Sequence, residues 1–277
     1  MSGNFDQLRK INYEIFSSHH AELILENYFS DITSELTTAL KSFSINIKDL
    51  ITGGGGQSII VQNLGSLFNS IGFASETDFS FKLPKVTWEY SSLLKTNELN
   101  NEVSESHKID HVFQKPDTTN WLALEIEWNS KDSIFDRDLS LFGRLHEAKV
   151  IDVGIIVTRG NSMQQNLNDL FARFCEQNNL WDIESIIKEV YQITENSNGE
   201  QIEYEYNPST KQKNEINSRI ANGWEFNHAW SSVFVQNKYG NSTTHFEKLE
   251  NKLHQGIGGT CPIIAIGLPK TIININT

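Results

Sequence analysis

Two hydrophobic rhythms run through this chain, and they separate its helices from its strands. At positions 19–43 the apolar residues Leu25, Phe29, Ile32, Leu36, Ala39 and Phe43 recur every three or four residues and predict an amphipathic helix. Gly53, Gly54, Gly55 and Gly56 interrupt the rhythm. Ile60, Leu64, Leu67, Phe68 and Ile71 then restore it as far as Gly72, so a second helix is predicted between the glycines and Gly72. Residues 79–83 read as a strand closed by Pro84, and the polar stretch 91–106 reads as a long loop or lid. Two further strands are expected at 107–113 and 121–128, joined by a turn at Lys115, Pro116 and Asp117. Phe135, Leu139, Phe142 and Leu145 return to helical spacing, predicting a helix over 133–148 with one buried face. A buried strand at 151–158 and a helix marked by Met163, Leu167, Leu170, Phe171 and Phe174 follow. Residues 195–213 are polar and expected to be irregular, and 263–268 form a last apolar strand.

A meander of three strands, a crossover helix and a fourth strand predict an α/β (α+β) fold: a central mixed β-sheet flanked by helices. At 277 residues one domain is the preferred organisation. It divides into an N-terminal helical region at 1–52, a core at 53–160 and a C-terminal helix and elaboration at 161–277. No apolar run reaches the length of a membrane span, and the N-terminus lacks a signal-peptide plan, so a cytoplasmic protein is expected. Two cysteines, Cys175 and Cys261, read as free thiols in a reducing compartment. The formal net charge of -12 argues against nonspecific adhesion to nucleic acid, yet it leaves room for a basic cleft in an otherwise acidic surface.

The chemistry concentrates between His107 and Gly160. Alternation along the 121–128 strand sends Leu122, Leu124 and Ile126 to one face and Ala123, Glu125 and Glu127 to the other. Two glutamates thus point the same way, and Asp110 lies on the preceding strand. Anions packed side by side among apolar strands are costly unless a cation neutralises them, so Asp110, Glu125 and Glu127 form a candidate divalent-metal site. By the same alternation His111 faces away from Asp110 and reads as a packed histidine, while His107 is left open. No His-Glu-x-x-His or Cys-x-x-Cys pattern suggests a zinc site. The four glycines precede a helix and could approach a phosphate, but the Lys-Ser/Thr of a nucleotide-binding loop is missing.

This arrangement resembles the PD-(D/E)XK nuclease superfamily, and more closely the BglII, BstYI and BamHI group of type II restriction endonucleases. The residues that carry the resemblance are Ile109-Asp110, Leu124-Glu125-Ile126-Glu127, and the strand and turn Val153-Gly154-Ile155-Ile156-Val157-Thr158-Arg159-Gly160. It covers roughly residues 53–160. The resemblance implies Mg2+-dependent hydrolysis of double-stranded DNA at a short palindrome, and suggests one containing GATC, with Mn2+ as a substitute ion. It also implies a homodimer and a cognate DNA methyltransferase. Asp110 and Glu125 would be the metal ligands, with the Ile126 carbonyl a third. Glu127 stands where many superfamily members carry a lysine, and it would orient or deprotonate the attacking water. Lys131 reads as a solvated lysine.

Arg137 and Arg144, seven apart on one predicted helix face, are candidate DNA contacts, as are Lys238, His245, Lys248 and Lys252 in the most basic stretch of the last third. Two other functions compete. One is a DNA-binding protein on the same scaffold without catalysis. The other is a glycoside hydrolase, since carboxylates two apart on a strand lie about 6.5 to 7 Å from each other.

Overall fold

The computed structural model describes residues 3–52, 58–84, 102–195, 199 and 201–275, with all their side chains except those of 76–84, 102–107 and 195. The chain begins with α1 (Asn4–Lys10), β1 (Glu14–Ser18), α2 (Ala21–Tyr28), α3 (Ser30–Ser42), β2 (Ile45–Asn46), α4 (Ile47–Ile51) and α5 (Ile59–Ser70). The single helix expected over 19–43 is therefore broken in two. Phe29 leaves helical geometry at φ -112° and ψ 34°, its side chain buried, and the Thr33 hydroxyl satisfies the Leu25 carbonyl at the break.

β3 (Ala74–Pro84), β4 (Glu102–Gln114) and β5 (Trp121–Glu127) form the expected antiparallel meander. The lid expected over 91–106 is corrected in part, because 102–106 already belong to β4, paired with β3 from Pro84↔Glu102 inward. Backbone pairing rather than apolar content defines that stretch. Residues 91–101 lie outside the described residues. α6 (Ile134–Glu147) crosses over to β6 (Val153–Arg159), which runs parallel to β5.

The remainder comprises α7 (Asn161–Gln177), α8 (Ile183–Val190), β7 (Gln192–Glu195), β8 (Gln201–Tyr204), α9 (Thr210–Ala221), α10 (Phe226–Lys238), α11 (Phe246–His254), β9 (Ile263–Leu268) and β10 (Ile273–Asn274). Residues expected to be irregular at 195–213 thus include β8 and the start of α9. Ser209 begins α9 with a capping box to Gln212, a local hydrogen-bond signal that hydrophobic spacing does not register.

The main sheet has the order β1-β9-β6-β5-β4-β3, with parallel pairs β9–β6 and β6–β5 and antiparallel pairs elsewhere. This is the mixed sheet flanked by helices that the hydrophobic pattern predicts. It draws two strands, β1 and β9, from beyond 53–160. One face buries Leu122, Leu124 and Ile126 together with residues of α5, α7 and α10. The other buries Ala123 and Ile156 beneath Phe135, Leu139 and Phe142 of α6 and Leu249 of α11. Burying an aromatic or aliphatic side chain of this size contributes about 1.5–3 kcal/mol, so the α6 stripe anchors that helix firmly. Gly154 makes the anchoring close: a Cβ there would lie 2.3 Å from the Phe142 ring. Among the described residues no helix is long and apolar enough to cross a membrane.

Candidate active site

β4 and β5 pair from Gln114↔Trp121 to His111↔Leu124, and the ladder stops there. The next two residues, Asp110 and Glu125, face one another where the backbone pairing ends. Their carboxylates take over the bonding: the Ile126 amide donates to Asp110 Oδ2 at 2.9 Å, and the Asp110 amide donates to Glu125 Oε2 at 3.4 Å. Glu125 and Glu127 are both buried, on the face that α6 covers. At the far end of β5 the Thr158 hydroxyl donates to the Glu127 carbonyl at 2.6 Å, tying the strand to β6.

A fourth carboxylate joins them. Asp138 of α6 is fully buried, and it lies within hydrogen-bond reach of Glu127. Desolvation pushes the Glu125 carboxyl well above the ordinary range, and the charges of Asp110 and Asp138 push it further. Glu127 is raised by the same two causes, burial first and the charge of Asp138 second. Asp138 is also raised by burial, although the Arg137 guanidinium opposes this through bonds of 2.8 Å from Nε and Nη2 to Oδ1. Sequence reasoning passed over Asp138. The available signal was a charge inside an apolar helical stripe, three residues after Phe135 and four before Phe142.

Glu125 Oε1, Glu127 Oε2 and Asp138 Oδ2 are buried and meet no donor among the described residues. Unpaired buried carboxylate oxygens carry a large desolvation cost, and hard anionic oxygens are the donor type that Mg2+ and Mn2+ prefer. The donor set therefore fits a divalent cation. Among the described residues no three His, Cys, Asp or Glu side chains already converge as a coordination shell, and Asp110 Oδ2 is engaged by the Ile126 amide.

His111 lies on the opposite face, edge-on to Phe68 of α5 with ring centroids 5.7 Å apart. The His107 side chain and Gly53 to Gly56 lie outside the described residues. Lys131 is exposed just beyond β5, bridged through its backbone to Thr243. Cys175 and Cys261 are free and buried, and desolvation pushes each thiol up to about 12.

The sequence profile described as Restriction endonuclease BglII/BglIII matches residues 13–268. The chain belongs to this restriction endonuclease family. The match extends on both sides of the 53–160 stretch that carried the resemblance, and it takes in β1 and β9. A BglII-family restriction endonuclease is a type II enzyme, a site-specific deoxyribonuclease that binds DNA and hydrolyses it, and the family generally uses divalent metal ions. A search of the curated proteins finds no match.

The six candidate DNA contacts of this family member separate into three groups. Arg137 and Arg144 are exposed on α6, the helix that carries Asp138. Lys248 and Lys252 of α11 are bound to carboxylates: Lys248 Nζ to Asp132 Oδ2 at 2.6 Å, Lys252 Nζ to Asp136 Oδ1 at 2.6 Å. These two pairs clamp α11 onto the start of α6. Lys238 and His245 turn inward. The Lys238 ammonium donates to the carbonyls of Leu50 (2.9 Å) and Thr52 (2.5 Å) at the end of α4, where it complements the helix dipole. His245 is buried, its Nδ1 3.0 Å from the Thr243 carbonyl oxygen. The positive charge counted along the last third is thus largely committed within the fold.

Proposed function

We propose that this restriction endonuclease is Mg2+-dependent, with Mn2+ as a working substitute, and that Asp110, Glu125 and Glu127 form its active site. The observation that carries the reading is the set of buried, donorless carboxylate oxygens where the β4–β5 ladder ends. Asp110 and Glu125 would hold the cation, with the Ile126 carbonyl as a third ligand. Once bound, a divalent ion supplies an acidified water and screens the phosphate that water attacks. Glu127 either orients the water or takes its proton; burial raises its basicity, and it can take a proton only in its ionised form. Asp138 holds Glu127 from the α6 side, and Arg137 limits the negative charge there.

We further propose a cytoplasmic homodimer, so that two sites address two strands, a palindromic target containing GATC, and a cognate methyltransferase. Arg137 and Arg144 are the residues best exposed to meet phosphates. Incubating plasmid DNA with the protein and Mg2+, with and without EDTA, tests the reading. Discrete fragments only in the metal-replete arm are expected, and sequenced fragment ends should show a palindrome. Fragments formed equally in EDTA would refute metal dependence, and intact but gel-shifted DNA would mean binding without catalysis.

A further inference from the structure

Among the described residues Arg159 is the largest buried charged side chain, and none of their carboxylates forms an ion pair with it. It ends β6 with no exposed surface. Its guanidinium lies 4.6 Å from the Tyr239 ring centroid and 6.0 Å from that of Trp128. Nη2 donates to Thr243 Oγ1 at 2.8 Å and to the Thr244 carbonyl at 2.6 Å, while Nε and Nη1 have no acceptor among the described residues. A guanidinium taken out of water with most of its N–H donors unused is costly, and a methionine would fill such a site more cheaply.

What Arg159 holds is the turn between α10 and α11, and that turn in turn holds the exit of β5. The Thr244 amide donates to the Ser130 carbonyl at 2.9 Å, and the Asp132 amide donates to the Ser242 carbonyl at 2.9 Å. Thr243 forms a backbone bridge with Lys131. Three residues separate Glu127 from Lys131, and Asp132 leads directly into α6, which delivers Asp138. The turn therefore braces the segment 130–132, which lies between Glu127 of β5 and Asp138 of α6.

We propose that Arg159 is a positioning residue: it pins residues 240–245 across 130–132 and so sets the placement of Glu127 and Asp138. The flat, weakly hydrated guanidinium lies over the Tyr239 ring while Nη2 meets both acceptors, whereas a lysine ammonium is a compact, strongly hydrated point charge. This inference rests on the active-site reading above. Outer groups that orient a metal-binding shell typically change affinity or activity by about 10–100-fold when removed.

The test compares Arg159→Lys, Arg159→Met, Thr243→Val and Thr243→Ser with the unaltered chain. It uses hydrogen exchange by mass spectrometry, single-turnover cleavage of plasmid, and the Mn2+ concentration giving half-maximal rate. Arg159→Lys and Thr243→Val should speed exchange in 240–245 and 128–132 together, lower the cleavage rate about 10-fold or more, and raise the Mn2+ requirement. DNA affinity should stay within about threefold, and Thr243→Ser, which keeps the acceptor oxygen, should behave like the unaltered chain. If Arg159→Met fails to fold, the lysine and threonine variants still decide. Faster exchange with unchanged cleavage and Mn2+ requirement would overturn the positioning role and leave Arg159 purely structural. Unchanged exchange in 128–132 would overturn the linkage itself. Glu125→Ala, assayed in parallel, reports separately on the site: cleavage at the unaltered rate there would remove the centre on which Arg159 is proposed to act.

Discussion

Two clusters of charge, each built around fully or nearly fully buried side chains, lie one residue apart across neighbouring strands, and the protein treats them differently. Glu127 of β5 is in register with Thr158 of β6, and Arg159 comes next. On the acidic side, Asp110, Glu125, Glu127 and Asp138 crowd together, and three of their oxygens meet no donor among the described residues. On the basic side, Arg159 and Lys238 also lie close enough to repel, yet carbonyls of Leu50, Thr52 and Thr244 and the face of Tyr239 receive them. On the basic side the fold itself supplies acceptors, although Nε and Nη1 of Arg159 meet none among the described residues, whereas on the acidic side the unpaired oxygens are of the type that a divalent cation would accept as ligands. On the active-site reading proposed above, that difference separates a structural cluster from a chemical one.

Removing the acidic side should have the largest effect. Glu125→Ala is expected to reduce single-turnover DNA cleavage to background while leaving DNA binding by gel shift largely intact, since a metal ligand is lost and no base contact is touched. Cleavage at the unaltered rate would dissolve the contrast between the clusters. Glu127 comes next: if it serves as the base, Glu127→Gln should lose about 10²-fold or more in the chemical step. If it only orients water, the amide oxygen should preserve appreciable rate. A fully active Glu127→Ala would take the residue out of the mechanism.

Titration sharpens the comparison, because the two clusters should respond to pH with opposite sign. The folded-state pKa of Glu125 is raised, so unfolding releases a proton above the unfolded value of about 4.3, and the stability of the unaltered chain relative to Glu125→Gln should fall as pH climbs from there. Burial, followed by the charge of Arg159, lowers Lys238 to about 8. Between about 8 and 10.4 the unfolded chain binds the extra proton, so stability relative to Lys238→Met should rise with pH across that window, by at most about 1.4 kcal/mol per unit. Urea unfolding of the three proteins at several pH values measures both slopes. Parallel slopes would contradict the assignment of one cluster as buried anions and the other as buried cations.

The smallest effect is expected outside both clusters. Arg144→Ala should weaken DNA binding about threefold near 0.15 M salt and reduce the slope of log affinity against log salt by about one, as the loss of a single phosphate contact does. An unchanged slope would make Arg144 a solvated residue of α6.

Much of the acidic cluster is legible in the sequence because a strand has a period of two. Alternation alone puts Glu125 and Glu127 on one face, and the short turn after β4 returns Asp110 to the same edge. Asp138 escapes notice because its partners are distant in sequence, although its place within an apolar stripe marks it. The basic cluster is not legible as a cluster, although Arg159 and Lys238 each stand in a stretch that the sequence singles out. Lys238 has the sequence context of a surface lysine, and only the docking of α10 on the end of α4 turns it inward. Net charge and local basicity say nothing about which cations the fold commits. The meander, crossover helix and last strand follow from periodicity, whereas β1 joins the sheet through pairing with β9, some 250 residues away, which no local pattern encodes.

The central claim is that Asp110 and Glu125, within this carboxylate cluster, receive a divalent cation, and anomalous X-ray scattering from crystals grown with Mn2+ tests it most directly. The account predicts a manganese peak bound by the carboxylates of Asp110 and Glu125, absent from Glu125→Ala crystals grown alongside. A manganese peak elsewhere on the protein with none between those two residues, at Mn2+ concentrations that support cleavage, would contradict it.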